Sequence, residues 1–159
     1  DYVRDRVDPF VKIFFHMTWA YQSNSGHADF PKYDKNQMTM YNAIINTTQT
    51  LVVGNWNIEG IIPSGTAIQN LRTSYLGDTL TRDGYHMDNG LGRYGASCVV
   101  FETLFTPEFE VTLDKNTYRY NVSSTESGKY TTPVTDENAP IALQAARYAI
   151  SAPYTITSM

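Results

Sequence analysis

The stretch NIEGIIPSGTAIQNLR, residues 57–72, decides how the rest of the chain is read. Ile58, Ile61 and Ile62 form a short apolar run closed by Pro63, the pattern of a buried strand. Ser64 and Gly65 then make a small-residue turn, and the residues after them lead into a helix. Upstream, Val11–Phe15 is a second compact run of β-branched and aromatic residues, set off by the Asp8-Pro9 turn signal. Such a run suits a strand of a parallel sheet buried on both faces. Between the two runs, Met40, Ile44, Thr48 and Leu51 recur at helical spacing from Gln37 to about Val53. Asp34 or Asn36 is placed to cap that helix, and Gly54 to end it in a left-handed conformation. Strand, helix, strand, helix is the grammar of a doubly wound α/β sheet.

Beyond the loop at 73–89, Gly90–Leu104 reads as a helix packed through Gly92, Gly95, Ala96 and Cys98. Those small residues predict a close approach to the sheet. After Pro107 the character changes. The run FEVTLDKNTYRYNVSS (109–124) alternates apolar and polar residues, which predicts a β-hairpin or an irregular excursion within 107–133. Asp136 then caps a last helix through Ala152, with Ile141, Ala145, Tyr148 and Ala149 inside. A length of 159 residues fits a single domain, 1–159. The opening DYVRDRVDPF reads as the tail of an amphipathic helix rather than a signal peptide, so the chain is expected to begin in mid-fold.

Composition narrows the function classes. Net charge is -4 and Lys and Arg are not clustered, which argues against nucleic acid as a partner. The apolar stretches are too short to span a bilayer. One cysteine, Cys98, cannot form an internal disulfide and is read as a small buried side chain. Tyrosine, with 12 copies against 2 of tryptophan, favours a surface that meets polar ligands such as sugars.

The densest chemistry lies in LTRDGYHMDNGLGRYGAS, residues 80–97. Asp83 and His86 stand three apart with Gly84 between them, so a tight turn brings the carboxylate back to the imidazole. A carboxylate on one ring nitrogen fixes the tautomer and stabilises the imidazolium when the other nitrogen takes a proton. The pair falls just before a helix, where open α/β sheets place their sites. Asp88 and Asp78 are alternative acids. Trp19 and Tyr21 follow the first strand on the same side and are candidates for stacking on a substrate. Ser64, in Pro-Ser-Gly at a strand end, is the best-placed serine, whereas Ser23 and Ser25 fall on a polar loop. His16 closes the first strand as a hydrogen-bonded edge residue, and His27 is expected to be exposed. The three histidines lack the short spacing of a zinc site, so neither metal nor cofactor is expected. Arg93 and Tyr94 are read as loop anchors.

These residues carry a family resemblance. RDGYHM is similar to the Asp-x-x-His block of SGNH (GDSL-like) serine hydrolases. HMTWAYQ, NQMTMYNAI, IIPSGTAIQN and LTRDGYHMDNGLGRYGAS together resemble SGNH-like domains of unknown function, found mainly in exported bacterial proteins. VTDENAPIALQAA resembles the closing helix of the same group.

The resemblance implies a three-layer α/β/α flavodoxin-like sandwich with a parallel sheet, of which this chain is the C-terminal part. It implies an esterase, often acting on acylated carbohydrate, with Asp83 as triad acid and His86 as base. It also implies export. In the SGNH pattern the nucleophilic serine and the oxyanion Gly and Asn come earlier in the chain, and no G-D-S, G-N-S or G-x-N-D block occurs here. The missing groups are therefore expected in an N-terminal segment of the same domain, which makes that segment a partner and this chain alone inactive. A reading from another class is a non-catalytic carbohydrate-binding module on the same scaffold, which the Tyr-rich loop suits.

Overall fold

A computed structural model describes residues 2–119 and 132–159. Its centre is a strand–helix–strand unit. Strand β1 (Phe14–His16) lies parallel to β2 (Gly60–Ile62), with Phe14 opposite Gly60, Phe15 opposite Ile61 and His16 opposite Ile62. Helix α1 (Gln37–Leu51) connects them. It begins where the Asn36 side chain accepts the Thr39 N–H at 2.9 Å, satisfying one of the free donors of the first turn.

Side chains alternate along a strand, so each strand feeds two cores. Phe15 and Ile61 join Met17, Ala20, Phe30, Met40, Tyr41 and Ile45, which brings α1 against them. Phe14 and Ile62 join Ala67, Cys98, Val99, Leu143, Ala146 and Ala149. This second core is built by α2 (Ser64–Thr73), α3 (Leu91–Leu104) and α5 (Ala139–Ser151). Five buried alanines on α5 let it lie close to its neighbours. Removing a large side chain from such a core, Leu143 for example, costs about 2–5 kcal/mol.

Helix α2 is the hub. Ser64 through Leu71 are all buried. Buried Asn70 uses its whole amide: Nδ2 donates to the Ala145 carbonyl at 3.2 Å, and Oδ1 accepts from Thr157 N–H at 2.8 Å. Tyr41 and Thr66 share a buried hydrogen bond at 2.9 Å, joining α1 to α2.

Several expectations shift. Helix α2 starts at Ser64 with no separate turn, because the Gly65 N–H donates to Met17 O at 3.0 Å. The strands are three residues long, displaced toward His16 and Ile62. The buried face of α1 is Met40, Tyr41, Ile45 and Thr48, while Leu51 is 72% exposed. Met40, Tyr41 and Ile45 pack there with Met17, Ala20 and Phe30, and the Tyr41–Thr66 bond lies on the same face. The small residues of α3 admit α2 and the preceding loop: a Cβ on Gly95 would stand 2.9 Å from Leu71, and one on Gly92 2.4 Å from Leu80 O. Asp136 does not cap α5. Thr135 and Asn138 exchange side-chain and backbone bonds there, and Asp136 pairs with Arg119 at 2.9 Å. Near the start, Arg4–Arg6 is a single 3-10 turn. Of the excursion expected at 107–133, the described residues hold the short helix α4 (Thr106–Phe109) and no strand. Residues 120–131 lie outside those described.

Candidate active site

The loop between α2 and α3 folds into a tight turn. Thr81 bridges Met87 antiparallel, and Arg82 N–H donates to His86 O at 3.0 Å. Gly84 sits at the tip with φ +92°, a conformation that disfavours side chains. Its carbonyl accepts from Gln22 N–H at 2.8 Å, which joins the turn to the loop after β1. A second tie runs the same way, from the Trp19 indole N–H to the Tyr85 carbonyl at 2.8 Å.

Within the turn, Asp83 Oδ2 lies 2.6 Å from His86 Nδ1. Asp83 Oδ1 accepts the backbone N–H of His86 at 2.8 Å and that of Tyr85 at 3.2 Å. Burial by itself would raise the Asp83 carboxyl. The His86 side-chain bond and the two backbone donors outweigh it and hold the pKa below the ordinary value. Asp83 is therefore an anion fixed on the ring, with its side chain 36% exposed and that of His86 54% exposed. The bond occupies Nδ1, which leaves Nε2 for proton transfer.

His86 lines a groove of about 540 Å³. One wall comes from the two loops: Trp19, Arg82, His86 and Met87, with His16 at the strand end. The other is the outer face of α3, namely Arg93, Ala96, Ser97, Val100 and Phe101, continued by Phe105. The α3 positions repeat at helical spacing, so one stripe of the helix forms the whole wall.

The other candidates fall in different places. Ser64 is completely buried, and its hydroxyl is 2.7 Å from His16 Nε2. His16 itself borders the groove, and partial burial lowers its pKa. Tyr21 is outside the groove lining; its ring packs on His27, Phe30 and Tyr85. His27 is thus half-buried in an aromatic cluster rather than exposed on its loop. Ser23 uses its backbone N–H on Asp78, which also pairs with Arg72 at 2.7 Å.

Asp78 therefore braces the loop, away from His86. Asp88 is buried and accepts the N–H groups of Gly90 at 2.7 Å and Gly92 at 2.8 Å, which fixes the start of α3. Asp83 is the acid that reaches the imidazole. Arg93 borders the groove with an exposed side chain. Arg82 and the wall from Val100 to Phe105 escaped the sequence reading, although the spacing of 93, 97, 100 and 101 marks one helix face.

Among the described residues no three His, Cys, Asp or Glu side chains stand close enough to hold a metal ion. No helix among them is long and apolar enough to cross a membrane. Residues 1–136 match the family described as Domain of unknown function (DUF4886). The chain belongs to the DUF4886 family. A crystal structure of a DUF4886 family protein from Bacteroides uniformis ATCC 8492 is 37% identical to it, with a TM-score of 0.78. The match covers 99% of this DUF4886 chain and 55% of the other, so the chain spans about half the length of that relative. No curated protein matches it.

Proposed function

We propose that this DUF4886 chain carries the acid–base half of an SGNH-type serine ester hydrolase, with Asp83 as the orienting acid and His86 as the general base. The observation that carries the reading is the 2.6 Å contact between Asp83 Oδ2 and His86 Nδ1 at the edge of a groove. His86 Nε2 takes the proton of a serine as it attacks the ester carbonyl, then returns a proton to the leaving alcohol. Asp83 holds the tautomer and stabilises the imidazolium between those steps.

The nucleophile and oxyanion donors come from chain outside these 159 residues. The complete burial of Ser64 and its bond to His16 favour an outside serine over that one. The greater length of the related chain leaves room for such a segment. The scaffold is read as part of an α/β/α sandwich, since α1 packs with Phe15 and Ile61 while α3 and α5 pack with Phe14 and Ile62. Acylated carbohydrate as substrate and an exported location accompany the reading.

A fluorophosphonate probe applied to the natural full-length protein tests it. The expected result is one labelled serine, with labelling strongly reduced by His86→Ala. Absence of labelling, or labelling undiminished by that change, overturns the assignment and leaves the groove to a binding module.

A further inference from the structure

We infer that the groove beside His86 takes an amphipathic oxyanion: a ligand whose carboxylate or phosphate is held by Arg82 and Arg93 while an apolar arm lies along α3. This names a substrate class for the site proposed above, and it rests on that reading only for the bond to be cleaved.

Charge carries the argument. The chain is acidic, with a net charge of -4, yet the groove is lined by two arginines, two histidines and no Asp or Glu. Three other arginines hold carboxylates: Arg72 pairs with Asp78, Arg119 with Asp136, and Arg147 with Glu102 and Asp114, while Arg4 and Arg6 donate to backbone carbonyls near the start of the chain. Neither Arg82 nor Arg93 forms an ion pair with a carboxylate among the described residues. Arg82 reaches the Asn89 amide oxygen at 3.4 Å, a weak contact.

Two acids close to these arginines along the chain are already engaged. Asp83 is held by His86, and Asp88, which feels the charge of Arg93, uses both oxygens on Gly90 and Gly92. A guanidinium presents a planar fork of donors that matches an oxyanion, and an unpaired one facing a cavity is a recognition element.

The remaining lining sets the other half of the ligand. Ala96, Val100, Phe101 and Phe105 make a largely apolar wall, with Met87 across from it, and Phe105 is 44% exposed. A plain neutral sugar would find few hydrogen-bond partners along it. An apolar arm ending near the arginines satisfies both halves at once, as in ligand sites where a few polar groups orient an otherwise apolar body.

Calorimetry on the natural full-length protein tests the inference with three ligands that share a phenylalkyl arm: 4-phenylbutyrate, 2-phenylethyl phosphate and neutral 4-phenylbutyramide. The two acids are expected to bind at least about tenfold more tightly than the amide. The tighter of the two identifies whether a carboxylate or a phosphate is the natural head group. Arg82→Gln with Arg93→Gln, checked for unchanged melting, removes that preference and leaves weak binding of all three. Equal affinity for acid and amide overturns the inference, and so does an absence of binding by all three. Because binding needs no nucleophile, a failed fluorophosphonate experiment leaves this result intact. Conversely, a hydrolase that prefers the neutral ligand keeps its triad and loses its anion site.

Discussion

The indole Nε1–H of Trp19 donates to the backbone carbonyl of Tyr85 at 2.8 Å, so the loop leaving β1 holds the turn that carries Asp83 and His86. Trp19→Phe keeps an aromatic ring and removes that donor. We expect a loss of about 1 kcal/mol in stability and at least a tenfold fall in ester hydrolysis by the full-length protein, roughly what a displaced catalytic group costs. Denaturant melts and kcat/KM on one preparation check both, and unchanged turnover would detach Trp19 from the site.

Asp83→Asn and His86→Ala separate chemistry from folding. Each is expected to lower hydrolysis by about 10³-fold or more and to move stability by less than about 0.5 kcal/mol, because both side chains are substantially exposed. The Asp83 carboxyl is depressed in the folded state. Its contribution to stability is therefore present above the unfolded carboxylate pKa and is lost as pH falls through the lower folded value. A wild-type acid melt steeper than that of Asp83→Asn is the expected difference.

Ser64→Ala is expected to keep fluorophosphonate labelling and to lose about 1 kcal/mol, since it deletes a buried hydroxyl bonded to His16. Disappearance of the label would make Ser64 the nucleophile.

His16 should titrate below its ordinary 6.5, because partial burial disfavours the imidazolium. The stability it contributes is complete above pH 6.5 and declines as pH falls toward the folded pKa. An NMR titration of the His16 ring proton reads the midpoint directly. A value at or above 6.5 would contradict the burial argument.

Cys98 is buried, and desolvation pushes its thiol up to about 11. The native protein should resist iodoacetamide at pH 8, with full alkylation only after unfolding. Mass spectrometry with and without denaturant gives the answer.

Legibility of this molecule follows the range of the interactions. The cap of α1, narrowed to Asp34 or Asn36, the Ile61–Ile62 strand and the Asp83–His86 turn are decided within a few residues and show in the sequence. The face that α1 buries meets Met17, Ala20, Phe30 and, twenty-five residues beyond Tyr41, Thr66, and helical periodicity carries no record of those partners. The groove is less legible still. It exists because Gly92 and Gly95 let α3 settle against Leu80 and Leu71, which turns Arg93, Ser97, Val100 and Phe101 toward His86. Arg82 went unread for a similar reason: its importance lies in what it faces across the groove, and nothing beside it in the chain marks that.

Gly65 records one such close approach. A Cβ there would stand 2.0 Å from the carbonyl oxygen of Thr18, a backbone atom that cannot swing aside. Gly65→Ala is expected to cost about 1–3 kcal/mol, whereas Gly26→Ala, with nothing within 4 Å, should be nearly silent. Equal melting temperatures for the two variants would mean that α2 is free to draw back from the loop after β1.

The amide of Asn70 has a consequence for the order in which the molecule can come into being. Its two partners, the Ala145 carbonyl and the Thr157 N–H, are made long after Asn70 itself leaves the ribosome. The Leu91 N–H at the head of α3 likewise waits for the Thr132 carbonyl. A nascent chain that already displays Asp83 and His86 therefore cannot yet seat the helices that aim them, and contacts so distant along the chain form late. Translation makes the turn early, and the groove closes into working shape only once the chain has been made through Thr157.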